Sequence, residues 1–248
     1  MQDEVISNTL SVVLCRVEGA INVGAACRAM KTMGFSRLAL ASCPAYDETD
    51  VRMHALHAFD VYEAAARYQT LAAALEGHAL VAGFTRRTGQ RRKESVAVDD
   101  FARSLSARPG GTVALVFGNE RDGLSDAELA LCDEAVSIPT SPLFPSLNLS
   151  HAVQIACWEA RKSLAQDAVL AASRPVATRG RIDEAAEAIV AALHSAGMFK
   201  MAGGPEAVAF VRSVVARAGL SEPELDRFSD LFYTVSGIAS AHLDRTDP

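Results

Sequence analysis

The chain lacks the sequence features of a membrane protein, a disulfide-rich secreted protein or a zinc protein. No apolar run reaches the roughly 18 residues that a membrane-spanning helix needs, and the acidic start differs from the basic-then-apolar pattern of a signal peptide. The five cysteines contain no C-x-x-C pair, and the six histidines contain no H-x-x-x-H pair. We therefore expect a cytoplasmic protein with reduced, structural thiols, no membrane segment and no metal centre.

The sequence also lacks an excess of positive charge, since its formal net charge is −6. Broad, non-specific binding to nucleic acid is therefore not expected. One loop does have five cations within eight residues: Arg86, Arg87, Arg91, Arg92 and Lys93. Guanidinium groups on one loop are suited to forked hydrogen bonds with phosphate, while the alternative is a merely solvated loop.

Half of the residues are hydrophobic, which allows a sizeable core. Over the first two thirds of the chain, short β-rich runs alternate with helical segments. This alternation predicts an α/β fold with a parallel sheet covered on both faces. The chain is divided into a main domain at residues 1–165, a linker at 166–180 and a helical extension at 181–248. The extension is too small to have much core of its own, so we expect it to pack on the main domain or on a partner subunit.

Hydrophobic periodicity locates the individual elements. It predicts strands at residues 10–16, 37–41, 79–84, 112–117 and 135–138. It predicts helices at residues 20–33, 51–66, 71–75, 125–132, 149–165, 182–196 and 208–218, with a last one starting near residue 221. Two of these helices begin with the spacing of a capping box, at Ser125 with Glu128 and at Ser221 with Glu224.

Two polar motifs directly follow predicted strands. The first, N-V-G-A-A-C-R, places Asn22 and Arg28 six residues apart, and we expect Gly24 to let the backbone bend at the start of a helix. The second, V-F-G-N-E-R-D-G-L-S, turns at Gly118 and presents Glu120 before the next helix. Ligands of open α/β sheets bind beyond the carboxyl ends of the strands, so these motifs are expected to converge.

A third motif, I-P-T-S-P-L-F-P-S-L-N-L-S-H-A, joins the last predicted strand to a helix. Its three prolines predict a stiff, extended segment. Ser146, Asn148 and Ser150 offer hydroxyl and amide groups at the start of the following helix, where backbone donors can also bind a polar ligand. Ordinary capping after a proline-rich connection is the alternative interpretation.

Together and in this order, the three motifs resemble those of the SpoU branch of the SPOUT RNA methyltransferases, over nearly all of residues 8–163. The helical tail, with T-R-G-R-I-D near its start, is similar to the C-terminal extension of the TrmJ type. The resemblance implies a C-terminal trefoil knot, although true knots are otherwise nearly absent from proteins. It also implies a homodimer formed through the knot region and S-adenosylmethionine as methyl donor. The implied reaction is ribose 2′-O-methylation of transfer RNA at nucleotide 32 of the anticodon loop.

The resemblance also implies roles for particular residues. Arg28 would contact the reacting ribose or its phosphate and be held by Asn22, and Glu120 would orient Arg28 or bind the substrate. Ser146 and Asn148 would fix the reacting geometry near the methyl group. Contacts with S-adenosylmethionine are implied for Phe84, Thr85, Arg86, Gly118, Ile138, Pro145, Ser146 and Leu147. Contacts with RNA are implied for Arg86, Arg87, Arg91, Arg92 and Lys93.

The chain departs from the family pattern in one segment, which leaves the substrate more open than the reaction. Phe84, Thr85 and Arg86 stand where small residues are expected, and Gly89 and Gln90 stand where arginines are common. The alternatives are therefore 2′-O-methylation of ribosomal RNA or of another transfer-RNA position, or a non-catalytic RNA-binding protein. A nucleotide-dependent dehydrogenase is disfavoured because no G-x-G-x-x-G follows the first strand.

Overall fold

The computed structural model describes residues 10–86, 94–106, 111–167, 176–198 and 204–243. Within these ranges, a seven-stranded sheet has the order β3-β2-β1-β6-β4-β7-β5, and every neighbouring pair is parallel. Its strands are β1 (Leu10–Cys15), β2 (Arg37–Ala41), β3 (Ala66–Tyr68), β4 (Leu80–Phe84), β5 (Ser95–Ala97), β6 (Val113–Phe117) and β7 (Glu134–Ser137).

Helices cover both faces of the sheet, as the alternating pattern predicted. On one face, apolar residues of α1, α2, α5 and α7 join the larger core, and on the other face residues of α4 and α6 form a second core. The helices of this region are α1 (Ala20–Thr32), α2 (Glu48–Ala55), α3 (Phe59–Glu63), α4 (Leu71–Leu75), α5 (Val98–Ser106), α6 (Asp126–Ala130) and α7 (Leu149–Asp167), with a 3₁₀ turn at Leu56–Ala58.

Three further helices follow: α8 (Arg179–Ser195), α9 (Gly204–Ala218) and α10 (Glu222–Leu243). Their apolar residues, including Ile182, Val215 and Leu225, belong to the larger core. A buried ion pair joins this helical tail to the sheet, because the guanidinium of Arg179 lies 2.6 Å from the carboxylate of Asp133. The tail therefore packs on the sheet region of its own chain.

The observed elements differ from the expected ones in several places. The helix expected at residues 51–66 is two short helices and a 3₁₀ turn, and its last residue begins β3. β3, β5 and α5 were not predicted. At Ser125 the full capping box forms. At Ser221 only half forms, since Glu224 accepts from the backbone amide and the hydroxyl of Ser221, at 2.9 and 2.6 Å.

The cysteines are all free, and four of the five are buried. Burial raises the pKa of Cys27 and of Cys157 to about 12, so these thiols stay protonated and unreactive at neutral pH. No helix in the described ranges combines the length and apolar character needed to span a membrane. The same ranges contain no group of three or more His, Cys, Asp or Glu residues able to hold a metal ion.

Candidate functional site

A cleft opens at the carboxyl ends of β4, β6 and β7, with about 770 Å³ of empty space including its mouth. The rings of Phe84 and Phe117 stack beside it, with their centroids 4.4 Å apart. Segments following the three strands all contribute to its wall, so the second and third motifs converge as expected. The lining contains every residue for which a cofactor contact was implied: Phe84, Thr85, Arg86, Gly118, Ile138, Pro145, Ser146 and Leu147.

The proline-rich segment forms one side of the cleft and contains a turn that the sequence did not predict. The amide of Phe144 donates to the carbonyl of Ser141 at 3.1 Å, and the hydroxyl of Thr140 donates to the carbonyl of Pro145 at 3.2 Å. Leu143 at the turn is 93% exposed, and Phe144 is 77% exposed. The segment is therefore folded back rather than extended throughout, and it presents two apolar side chains to the solvent.

Three of the expected catalytic residues form one hydrogen-bonded group beside the cleft. The side-chain amide of Asn22 donates to Glu120 at 2.9 Å, and that of Asn148 donates to the side-chain oxygen of Asn22 at 3.2 Å. The side-chain oxygen of Asn148 accepts from the backbone amide and the hydroxyl of Ser150, at 2.9 and 2.8 Å. These bonds join the segments that follow β1, β6 and β7, although the residues are distant in sequence.

Glu120 is held ionised by its surroundings. Its carboxylate also accepts from the backbone amides of Glu18 and Gly19, at 3.2 and 3.0 Å. Partial burial alone would raise the pKa of Glu120, but the hydrogen bonds from Asn22 and these amides hold it below its ordinary value. The site therefore carries a fixed negative charge at neutral pH, held in place by three hydrogen-bond donors.

Arg28 lies on the exposed side of α1. The role expected for Asn22, holding Arg28, differs from what the structure shows, because the side chain of Asn22 binds Glu120 and Asn148 instead. Ser146 is exposed at the edge of the cleft. Of the basic loop, Arg86 lines the cleft, whereas Arg87, Arg91, Arg92 and Lys93 lie outside the described residues.

Gly24 serves close packing rather than the bend expected from sequence, because it lies inside α1, four residues after its start. A Cβ atom at this position would lie 2.5 Å from the carbonyl oxygen of Val51 and 2.9 Å from the amide nitrogen of Ala55. Any side chain would therefore separate α1 from α2. Because α1 carries both Asn22 and Arg28, this packing positions the first motif.

A second polar group beside the cleft was missed by sequence reasoning. It consists of Arg16, Asn119 and Glu128, which are linked by hydrogen bonds across about a hundred residues of sequence. No local pattern marks such a group, since each residue looks like an ordinary loop or helix residue on its own. The one local sign is structural: Arg16 has a φ of 55°, which is unusual for a residue with a side chain.

Comparison with known proteins places residues 9–158 within the model of the SpoU rRNA Methylase family. The tRNA (cytidine/uridine/adenosine-2′-O-)-methyltransferase TrmJ of Pseudomonas aeruginosa is 38% identical over 156 residues, which is 61% of this chain and 60% of that protein. The tRNA (cytidine-2′-O-)-methyltransferase TrmJ of Methanocaldococcus jannaschii is 33% identical over 153 residues, or 60% and 66%. The matched region therefore spans less than two thirds of either relative.

Solved structures show the same fold. A probable methyltransferase from Bordetella pertussis is 34% identical, with a TM-score of 0.60 over 65% of this chain and 99% of that one. TrmJ from Z. mobilis ZM4 is 24% identical, with a TM-score of 0.72 over 91% of this chain and 98% of that one. The second likeness extends the shared fold beyond the region that the family model matches.

Proposed function

The chain belongs to the SpoU rRNA methylase family, and we propose that it methylates a ribose 2′-hydroxyl of transfer RNA with S-adenosylmethionine as donor. The proposed position is nucleotide 32 of the anticodon loop, as a cytidine or a uridine. One observation carries the proposal. All eight residues with an implied cofactor contact line a single cleft, beside the bonded group of Asn22, Glu120 and Asn148.

The cleft fits S-adenosylmethionine in size and in chemistry. Its empty space is within the range of small-molecule sites. The stacked pair of Phe84 and Phe117, with Val136 and Ile138, offers apolar surface to a purine ring. The carboxylates of Glu120 and Asp122 are suited to a ligand that carries a sulfonium and an ammonium group. Residues Phe84, Thr85, Arg86, Gly118, Ile138, Pro145, Ser146 and Leu147 would hold it.

The methyl donor, when bound, supplies a methyl group already activated on a sulfonium sulfur. The residues of the chain therefore serve mainly to align the ribose with it. Asn22 and Asn148 are fixed by Glu120 and by the start of α7, so their amide groups hold one orientation. Ser146, exposed at the rim, is proposed to bind the ribose hydroxyl.

Arg28 is proposed to bind the ribose or its phosphate as a cation and hydrogen-bond donor. A guanidinium gives up a proton reluctantly, so Arg28 is a poor base by itself. We assign the acceptance of the hydroxyl proton to an RNA phosphate, with Ser146 helping as a hydrogen-bond partner of the ribose hydroxyl and Arg28 stabilising the negative charge. The described part of the basic loop, Arg86, already lies at the cleft and would contact RNA together with the rest of that loop.

The proposal includes a homodimer formed through a knotted region near the cleft. Two observations support a second copy at this face. Ile21 on α1 is 54% exposed and Trp158 on α7 is 50% exposed, and these two helices pack against each other. A second copy covering both side chains would bury apolar surface beside the active cleft. Arg28, exposed on α1, could then act in the cleft of the partner.

The proposed domain division follows from the same reading. Residues 1–165 form the methyltransferase domain, residues 166–180 a linker, and residues 181–248 a helical extension. The alternative substrate is ribosomal RNA, which the description of the matched family favours. A non-catalytic RNA-binding role is a poorer fit, because Arg28, Glu120 and Asn148 are all present.

The decisive experiment is transfer of labelled methyl from S-adenosylmethionine to total transfer RNA and, separately, to ribosomal RNA, followed by nucleoside analysis. Label recovered as 2′-O-methylcytidine or 2′-O-methyluridine in transfer RNA is the expected result, and mapping would then test nucleotide 32. Label in ribosomal RNA alone would keep the chemistry and reject the transfer-RNA substrate. No label in either, with cofactor binding intact, would indicate a binding protein.

Replacement of Arg28 tests the assignment of roles. Arg28→Ala is expected to keep the affinity for S-adenosylmethionine, since Arg28 does not line the cleft. It should lower the rate of methyl transfer about a hundredfold or more, the usual loss when a transition-state donor is removed. Single-turnover rates and equilibrium dialysis measure the two quantities, with Arg181→Ala as the control. Unchanged turnover would remove Arg28 from the chemistry.

A further inference from the structure

Residues Asn119 to Gly123, here called the cleft loop, join β6 to the helix α6 and line the cleft. The loop closes on itself, because the amide of Gly123 donates to the carbonyl of Asn119 at 2.7 Å. The side-chain oxygen of Asn119 accepts from the amide of Arg121 at 2.9 Å. Asn119 is buried, so it acts as the internal support of the loop.

The segment that follows β1 binds the first residues of the cleft loop. The side-chain amide of Asn119 donates to the carbonyl of Arg16 at 2.8 Å and to the carboxylate of Glu18 at 3.3 Å. The next residue, Glu120, accepts from the amides of Glu18 and Gly19. One side of the loop is thus attached to the end of β1 through several short bonds.

Arg16 binds the other end of the loop with its side chain. Its Nη2 donates to the carbonyl oxygen of Gly123 at 3.2 Å. The same guanidinium forms a forked pair with Glu128 on α6, with Nε at 2.5 Å and Nη2 at 2.9 Å from the two carboxylate oxygens. Forked arginine–carboxylate pairs restrict orientation as well as distance. Arg16 therefore joins both ends of the cleft loop, through its carbonyl at one end and its guanidinium at the other.

The backbone of Arg16 is held in a disfavoured conformation. Its φ of 55° lies in the left-handed region, which is unfavourable for a residue with a side chain. Such conformations persist where surrounding contacts impose them, and they concentrate at binding sites. Here the amide of Arg16 donates to the carbonyl of Ala41 at 3.0 Å, while its carbonyl and guanidinium engage the loop.

We propose that Arg16 is a positioning residue which, through Glu128 and Gly123, holds the cleft loop in the shape that binds the methyl donor. The inference rests on the proposed function, because it takes S-adenosylmethionine as the ligand of the cleft. Arg16 itself does not line the cleft. Its effect on the ligand is therefore indirect, through Asn119, Glu120 and Gly123, which do.

Binding of S-adenosylmethionine and of S-adenosylhomocysteine, measured by equilibrium dialysis, tests this role without any turnover. Arg16→Gln and Glu128→Gln are each expected to weaken binding about tenfold, the equivalent of one charge-assisted hydrogen bond. The double variant should bind these ligands no more weakly than either single variant, because each single substitution already breaks the same ion pair. Arg181→Gln is the matched control, since Arg181 pairs with Glu184, Glu222 and Asp226 away from the cleft.

Two further measurements separate positioning from a general loss of stability. At saturating cofactor, the variants should methylate RNA at the rate of the unaltered protein, with only the KM for cofactor raised. Arg16→Lys keeps the charge without the fork and should recover part of the affinity.

The outcomes separate this inference from the proposed function. If the unaltered protein does not bind S-adenosylmethionine, the cofactor assignment and this inference are both overturned. If it binds and Arg16→Gln binds equally well, or no worse than Arg181→Gln, the cofactor assignment stands and the role of Arg16 is overturned.

Discussion

The short helix α6 is held at its two ends by two arginine–carboxylate pairs in opposite surroundings. Near its start, Arg16 pairs with Glu128 beside the cleft, and the side chain of Arg16 is 38% exposed. Just after its end, Arg179 from the helical tail pairs with Asp133, and their side chains are only 4% and 0% exposed. A partly exposed pair, here with Arg16 at 38% and Glu128 at 14%, can be exchanged for water at smaller cost than a buried pair. We expect the first to control ligand binding and the second to control stability.

The pKa values of Glu128 and Asp133 are shifted in opposite directions by these surroundings. Burial raises the pKa of Asp133, and the charge of Arg179 only opposes that effect. Partial burial also works against the charge of Glu128, but the bonds from Arg16 and Ser125 outweigh it and lower the pKa from 4.5 to about 2. The cleft pair is therefore stabilised chiefly by its bonds, whereas the tail pair depends on mutual neutralisation of two desolvated charges.

The largest expected effect comes from breaking the buried pair. In Arg179→Met, the charge of Asp133 is left without its partner, and unfolding should require about 3–5 kcal/mol less free energy. The backbone carbonyl of Leu131 also loses a donor at 3.1 Å. Urea-induced unfolding measures the loss. Arg181→Met, which breaks exposed pairs of the same tail, should cost less than about 1 kcal/mol.

The comparison fails if these two variants lose similar stability. A second check is the double variant Arg179→Met with Asp133→Asn, which removes the unpaired charge. It should recover part of the loss, while the amide of Val81, which donates to Asp133 at 2.9 Å, still finds an oxygen acceptor. Binding of S-adenosylmethionine by the folded fraction should remain unchanged in all three variants.

Acid should remove the stability that the Arg16–Glu128 pair contributes, because the pKa of Glu128 is lowered in the folded protein. Because the folded pKa of Glu128 is lowered, its contribution to stability is present above about pH 4.5 and is lost as the pH falls toward 2. Because Arg16 is partly exposed to solvent, we expect Glu128→Gln to lose only about 1.5 kcal/mol of stability at pH 7, well below the loss for the buried pair. That difference should shrink steadily between pH 5 and pH 3.

Comparing the two proteins at each pH cancels the contribution of Asp133, whose raised pKa changes stability with the opposite sign. The free energy of unfolding in urea is the quantity to follow. A difference that stays constant from pH 6 to pH 3 would mean that the lowered pKa of Glu128 is not coupled to folding.

The two regions also differ in how much of them the sequence predicted. β1, β2, β4, β6 and β7 were located within about two residues because each is a buried, apolar run next to turn signals. β3 and β5 have three residues each, and all three residues of β3 are exposed, so pairing with a neighbour defines them rather than any pattern. The missed α5 did carry a signal, since Val98, Phe101, Ala102 and Leu105 are buried at helical spacing.

At the site, the motifs identified the residues of the cleft but not their connections. Resemblance supplied eight of the residues that line it, and the placement of motifs after strands correctly predicted their convergence. The bonds of Asn22 to Glu120 and of Arg16 to Glu128 link residues about a hundred positions apart. Such pairings depend on the order of strands in the sheet, and that order was not specified by periodicity.

The smallest expected effect compares the two serines that begin α6 and α10. The hydroxyl of Ser125 accepts from the amide of Glu128 at 3.2 Å, whereas that of Ser221 donates to the carboxylate of Glu224 at 2.6 Å. Ser125→Ala should lower stability by about 1 kcal/mol, the usual cost of losing a helix cap. Ser221→Ala should cost about 0.5 to 1 kcal/mol, because it removes one hydrogen bond and leaves no amide unpaired.

The affinity for S-adenosylmethionine should distinguish the two serine variants more clearly than their stability does. Ser125 follows the cleft loop closely and binds Glu128, which also binds Arg16. Ser125→Ala should therefore weaken S-adenosylmethionine binding about threefold, a change in binding free energy smaller than the loss of one hydrogen bond. Ser221→Ala, in the helical tail, should leave that affinity unchanged. Equilibrium dialysis on both variants decides the matter. Equal affinities would mean that the start of α6 only stabilises the fold, and that the cleft loop is positioned from the β1 side alone.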